Sequence, residues 1–149
     1  MRSLASIATL SAVLIFAGFV GTVEGGGHDE ALPKGFKTTP VLKSGMTASN
    51  AKIAYPKNGA AEIVSVVGVL EPGGRTARHQ HPVPVFVYVL EGTLKVKADG
   101  HEARTYKTGQ SFLEDINLWH QAFNEGTTPA KVLVVFMGET GKPTTVNAK

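Results

Sequence analysis

The strongest constraint on the fold is a rhythm. From about residue 50 onward, short runs of Val, Ile, Leu, Phe, Tyr and Thr alternate with turn-forming clusters, and no stretch sustains apolar residues at i, i+3, i+4 and i+7. A helix built from such a pattern would have no continuous apolar stripe to bury, whereas a strand needs only a few residues with alternating faces. Strands are therefore expected over residues 51–55, 62–70, 76–81, 86–90, 93–98, 101–107, 111–114, 119–124 and 131–137. The turn signals between them are Pro72-Gly73-Gly74, Glu91-Gly92, Asp99-Gly100, Thr108-Gly109 and Asn124-Glu125-Gly126. Asp99-Gly100 reads as a tight hairpin loop, since both residues tolerate positive φ. Segments 62–70 (EIVSVVGVL) and 131–137 (KVLVVFM) are apolar at nearly every position, which predicts strands covered on both faces. An all-β sandwich or jelly roll covers them and also limits exposed sheet edges.

The chain has 149 residues, enough for one core. Its formal charge of +3 comes from lysines scattered from Lys34 to Lys149 without a run, so neither nucleic acid nor an anionic membrane surface is an expected partner. The absence of cysteine excludes disulfides, thiolate metal sites and a cysteine nucleophile. Any metal must be bound through nitrogen and oxygen. Arg2 precedes an uncharged apolar stretch, Leu4 to Val20, followed by small and polar residues. This predicts an export signal over residues 1–25. The stretch is long for a leader, and an uncleaved membrane anchor is the alternative. Either way the folded part lies outside the cytoplasm, periplasmic or secreted. Residues 26–40 read as a linker or arm rich in Gly, Pro and Lys, and residues 41–149 as the folded domain.

Within that domain, His79 and His81 stand two apart in an expected strand, so their imidazoles leave on the same side and aim at one point. Neutral imidazoles converging on a point begin a metal site. His120 closes a second strand-turn-strand unit that opens at Gly109 and offers a third ligand. His28 and His101 have no such partner and read as structural. Arg75 shares strand parity with His79 but reads as solvent-facing; Trp119, Phe112, Phe123 and Phe136 read as core or pocket lining; Tyr88 has opposite parity to Val85 and is expected to pack outward or against a partner subunit. Glu114, six residues before His120, is a candidate oxygen ligand, hydrogen-bond partner of an imidazole, or catalytic general base.

The spacing of these residues resembles the cupin superfamily, specifically its small single-domain members. Gly73, His79, His81 and Gly92 fall in register with the first cupin motif, and Gly109, His120 and Asn124 with the second. The chain departs from the pattern in two places. Val85 stands where the family usually has a glutamate ligand, and Asp115-Ile116-Asn117 stands where it has Pro-x-Gly. Asn117 is a mild replacement for glycine, because Asn enters the left-handed region more readily than most residues.

The resemblance implies a cupin-type double-stranded β-helix, a jelly-roll barrel holding one divalent transition metal, Fe, Mn, Ni, Cu or Zn, through His79, His81 and His120. It implies a small-molecule substrate, oxygenase-like or hydrolytic and lyase chemistry, and a homodimer. Asn124 is expected to hydrogen-bond rather than ligate. Three neutral imidazoles without a carboxylate would leave the ion its full charge. The competing readings are a non-catalytic module that binds a ligand or metal, and a structural domain with an empty site.

Overall fold

The computed structural model describes residues 35–149. The leader expected over residues 1–25, and most of the linker, lie outside the described residues. Among the described residues there are nine strands and no helix: β1 (Ala61–Leu70), β2 (His79–Gln80), β3 (Val85–Glu91), β4 (Thr93–Ala98), β5 (Arg104–Lys107), β6 (Ser111–Glu114), β7 (His120–Phe123), β8 (Ala130–Glu139) and β9 (Val146–Asn147). They form a four-stranded sheet, β1-β8-β3-β6, and a five-stranded sheet, β5-β4-β7-β2-β9. This is the all-β, two-sheet architecture that the patterning predicts.

Strand β3 shows how the pattern becomes a core. Val85, Val87 and Val89 are buried while Phe86, Tyr88 and Leu90 face the other way, the period-2 alternation of a strand between core and outer face. The inward valines meet Leu94, Phe112, Ala122, Val132 and Phe136 from both sheets. A register irregularity between Val89 and Glu91 shifts the pairing of β3 with β8, which finishes at Glu91 and Lys131, and Gly92 follows at φ +74°. At this corner the chain leaves one sheet and enters the other as β4.

Three expectations change. The apolar segment 62–70 is not covered on both faces: β1 is an edge strand, and the face that carries Ile63, Val67 and Val69 is open, these residues being 64%, 55% and 55% exposed. Its partner β8, paired with it over ten residues, is interior to the sheet. The Asp99-Gly100 turn exists, with His101 N–H donating to the Ala98 carbonyl and Gly100 at φ +74°, but it does not close a two-residue hairpin. The last β4–β5 pair is Val96 with Arg104, and residues 97–103 form the connection, while on its other edge β4 pairs with β7 through to Ala98. Residues 51–55, expected as a strand, make only an isolated bridge between Lys52 and Met46.

A Cβ on Gly92 would lie 2.5 Å from the Pro129 carbonyl oxygen, whereas one on Gly100 would meet nothing within 4 Å, at the same φ of +74°. Gly100→Ala is therefore expected to incur only the left-handed strain, at a cost of about 1–2 kcal/mol. Gly92→Ala must also displace backbone and should cost clearly more. Urea midpoints of the two variants check the order.

Candidate functional site

The two sheets face each other through two rows of paired residues. Across the four-stranded sheet, Val64 pairs with Phe136, Phe136 with Val85, and Val85 with Glu114. Across the five-stranded sheet, Asn147 pairs with His79, His79 with His120, and His120 with Ala98. Directly paired residues share a face, so His79 and His120 lie side by side, and His81, two residues along from His79, turns to the same side. The ring centroids are 4.8 Å apart for His79 and His81, 4.4 Å for His79 and His120, and 5.1 Å for His81 and His120. One nitrogen from each ring comes within 4.8 Å of the others, an arrangement that could hold a metal ion. His81 and His120 are buried and His79 half-buried.

Each ring is locked by its other nitrogen. Nδ1 of His79 lies 2.7 Å from the Ala77 carbonyl oxygen, Nδ1 of His81 2.8 Å from that of Thr144, and Nδ1 of His120 2.9 Å from that of Leu118. A carbonyl only accepts, so each Nδ1 carries the proton and donates it. In the neutral rings Nε2 is left as a bare lone pair. Nε2 of His120 is buried without a hydrogen-bond partner. Buried acceptors without donors are costly, and a cation among them removes the cost. The donor set, nitrogen with no sulfur, suits a first-row divalent ion.

Glu114 points inward from β6. Its Oε2 lies 3.0 Å from Nε2 of His81, its Oε1 3.5 Å from Nε2 of His120, and the side chain is 10% exposed. Burial acts to raise the Glu114 carboxyl, but the neighbouring His120 and His81 more than offset it and hold the group down to about 2. Burial acts to lower His120, and the Glu114 carboxylate together with the Leu118 carbonyl turn the balance upward. His79 is lowered by burial, against the Ala77 carbonyl.

Beside His120 and Glu114 a cavity opens between Val96, Ala98, Tyr106 and Phe112, with Arg104 and Ser49 lining it as well. Tyr106 and Phe112 stack with their centroids 3.8 Å apart. Of the aromatics proposed from sequence, Phe112 lines this cavity and Phe136 packs edge-on against His81 at 5.3 Å, while Trp119 lies under the Arg78 guanidinium at 5.0 Å. Arg75 is exposed, as expected. His101, read as a bystander, stands among the residues around the cavity. Asn124 is buried and spends its side chain on hydrogen bonds, donating to the Leu70 and Thr128 carbonyls and accepting from Gly126 N–H. Asn117 takes φ +56°, the left-handed turn in which it replaces glycine, and its N–H donates to the His81 carbonyl.

Sequence reading missed two supports of the site. Asp115, in the place of the motif's proline, is buried and accepts hydrogen bonds from the hydroxyls of Thr47 and Ser49, tying the segment before β1 down beside the cavity. The chain's last strand, β9, pairs with β2, and Thr144 just before it supplies the carbonyl that orients His81. Thr144-Thr145-Val146 has β-forming composition, which signals a strand, but a backbone carbonyl leaves no mark in a sequence.

Residues 66–136 match the sequence family described as Cupin domain. This chain contains a cupin domain. It is 34% identical over 68 residues to polyketide synthase CurC of Streptomyces cyaneus, covering 45% of this chain and 44% of that protein. The chain thus spans less than half the length of the curated relative it matches. Among solved structures, the DMSP lyase DddQ of Ruegeria pomeroyi DSS-3 superposes with a TM-score of 0.52 at 21% identity, over 58% of this chain and 43% of that one. A Klebsiella pneumoniae protein with a double-stranded β-helix domain gives a TM-score of 0.51 at 21% identity, over 65% of this chain and 91% of that one. At such identities these structures share the fold with this cupin. The histidines and Val85 lie inside the matched segment, whereas Thr144 and β9 lie beyond it.

Deleting residues 143–149 removes the Thr144 carbonyl from His81 and β9 from β2. Loss of such an orienting partner costs about 10–100-fold in metal affinity. Divalent-ion titration of the truncated cupin should show that drop, with far-ultraviolet circular dichroism retaining its β spectrum.

Proposed function

We propose that this cupin is an exported metal-dependent enzyme acting on a small organic molecule, with oxygenase-like or lyase chemistry at an ion held by His79, His81 and His120. One observation carries the reading: three imidazoles with their Nδ1 protons committed to backbone carbonyls turn their remaining nitrogens toward one another in a buried place. A structural histidine cluster would satisfy those nitrogens with donors. This one supplies none to His120 Nε2.

A divalent ion there would supply Lewis-acid polarisation or activation of a bound small molecule, because three protein nitrogens leave coordination positions for a ligand from solution. The chain's own residues supply the surroundings. Val96, Ala98, Tyr106 and Phe112 give the cavity beside His120 an apolar wall that disfavours bulk water, and Arg104 adds one cationic group. Phe136 packs edge-on against the His81 ring. The three carbonyls keep every ring in the tautomer that presents a lone pair.

Addition of Fe²⁺, Mn²⁺, Ni²⁺, Cu²⁺ or Zn²⁺ to protein stripped with chelator should raise the unfolding temperature with one ion bound per chain, the gain in stability being about 2.7 kcal/mol at a hundredfold excess over Kd. Replacing all three histidines by Ala should abolish both the shift and the quenching of Trp119 emission by paramagnetic ions. Protein that purifies without metal and gains no stability from any of these ions would sink the proposal. The exposed Ile63, Val67 and Val69 of edge strand β1 support pairing of two copies, for which sedimentation should give twice the chain mass.

A further inference from the structure

We infer that Glu114 is the fourth protein ligand of this ion, a carboxylate delivered from β6 in place of the one that β3 lacks at Val85. The inference rests on the three-imidazole reading and specifies what completes it.

Val85 and Glu114 are directly paired across the antiparallel β3–β6 ladder, and residues so paired project from the same face with their Cβ atoms about 4.5–5.5 Å apart. Val85 is fully buried and apolar, so β3 contributes no oxygen to this place. Glu114, one strand over and one methylene longer than aspartate, reaches the same space between the sheets.

Distance and chemistry agree. One carboxylate oxygen lies 3.0 Å from Nε2 of His81 and the other 3.5 Å from Nε2 of His120, so each oxygen addresses a different ring. A first-row ion with Zn-like bonds of about 2.0–2.2 Å to nitrogen and oxygen sets neighbouring donors about 3.0–3.5 Å apart, from right-angled to tetrahedral geometry. The observed separations are edges of such a polyhedron. They are also separations between groups that repel when metal-free and neutral, since both Nε2 atoms are lone pairs and a carboxylate is acceptor-only. A cation among them converts that repulsion into coordination.

The adjacent carboxylate does not compete for the role. Asp115 accepts from Thr47 through one oxygen and from Ser49 through the other, and neither oxygen is free to face the rings. With Glu114 bound, a divalent ion keeps one unit of net charge instead of two. The site is then a weaker Lewis acid than three imidazoles alone would make it, and has less pull on anions.

The test uses the full chain stripped of metal and titrated with Co²⁺ and Mn²⁺. Wild type should bind one equivalent. Glu114→Gln, which keeps the shape and removes the charge, should bind at least about tenfold more weakly and show an altered Co²⁺ visible spectrum. The exchange variant carrying Val85→Glu with Glu114→Gln should recover affinity, because it returns a carboxylate to the same face from the opposite strand. Infrared difference spectra of wild type, metal-free against loaded, should show one carboxylate stretch displaced, a readout that needs no variant to fold. Unchanged affinity and spectrum in Glu114→Gln, or no displaced carboxylate band in loaded wild type, overturns the inference and leaves the three-imidazole reading standing. Failure of wild type to bind either ion, or any other divalent metal, overturns both.

Discussion

The structure depends on the commitment of three imidazole Nδ1 protons to backbone carbonyls. Without those bonds, each ring could turn or change tautomer and satisfy itself; with them, a lone pair on every ring is held toward a common buried point. Two of the carbonyls are local. Ala77 lies two residues before His79, and Leu118 two residues before His120, so short extended segments make the bond on their own. The third is remote. Thr144 reaches His81 only because the chain returns after β8 and lays β9 along β2. The readiness of the site for a cation is thus built partly by local geometry and partly by the closing of the sheet at the end of the chain.

The two-sheet frame has to keep this polar cluster from weakening the core around it. It does so by segregating the cross-strand rows. Phe136 and Val85 stand in the same row as Glu114, and the Phe136 edge packs on His81, so the carboxylate sits at the polar end of a row that is otherwise hydrocarbon. Asp115, next along the chain, is turned instead to Thr47 and Ser49. Two consecutive acids therefore do different work: Glu114 faces the rings, and Asp115 fastens the segment that borders the cavity. Alternation along an extended chain sends neighbouring side chains to opposite sides, and that is enough to divide the roles.

Much of this was readable before any coordinates. Strands β4 and β6 have the limits that the residue pattern predicts, and β3, β7 and β8 differ by a few residues, because Val, Ile, Phe and Thr runs bounded by Gly-containing turns specify strands locally. The failures have a shared cause. Segment 62–70 looked like a strand buried on both sides, yet the face that carries Ile63, Val67 and Val69 is exposed among the described residues. Asp99-Gly100 looked like a two-residue hairpin loop, yet pairing of β4 with β5 stops at Val96 and Arg104 while β4 runs on to Ala98 along β7. In both cases composition described the segment correctly, and the identity of its neighbours, a non-local property, determined burial and pairing.

The sequence by itself determined the all-β class, the nitrogen-and-oxygen chemistry that a chain without cysteine must use, and the convergence of His79 with His81, because period-2 alternation is a property of any extended strand. Only the tertiary structure decided that His120 joins the pair, that Thr144 orients His81, and that Glu114 turns inward opposite Val85. Each of these depends on register between strands distant in the chain. Register is settled by the packing of whole sheets, not by the residues at the contact.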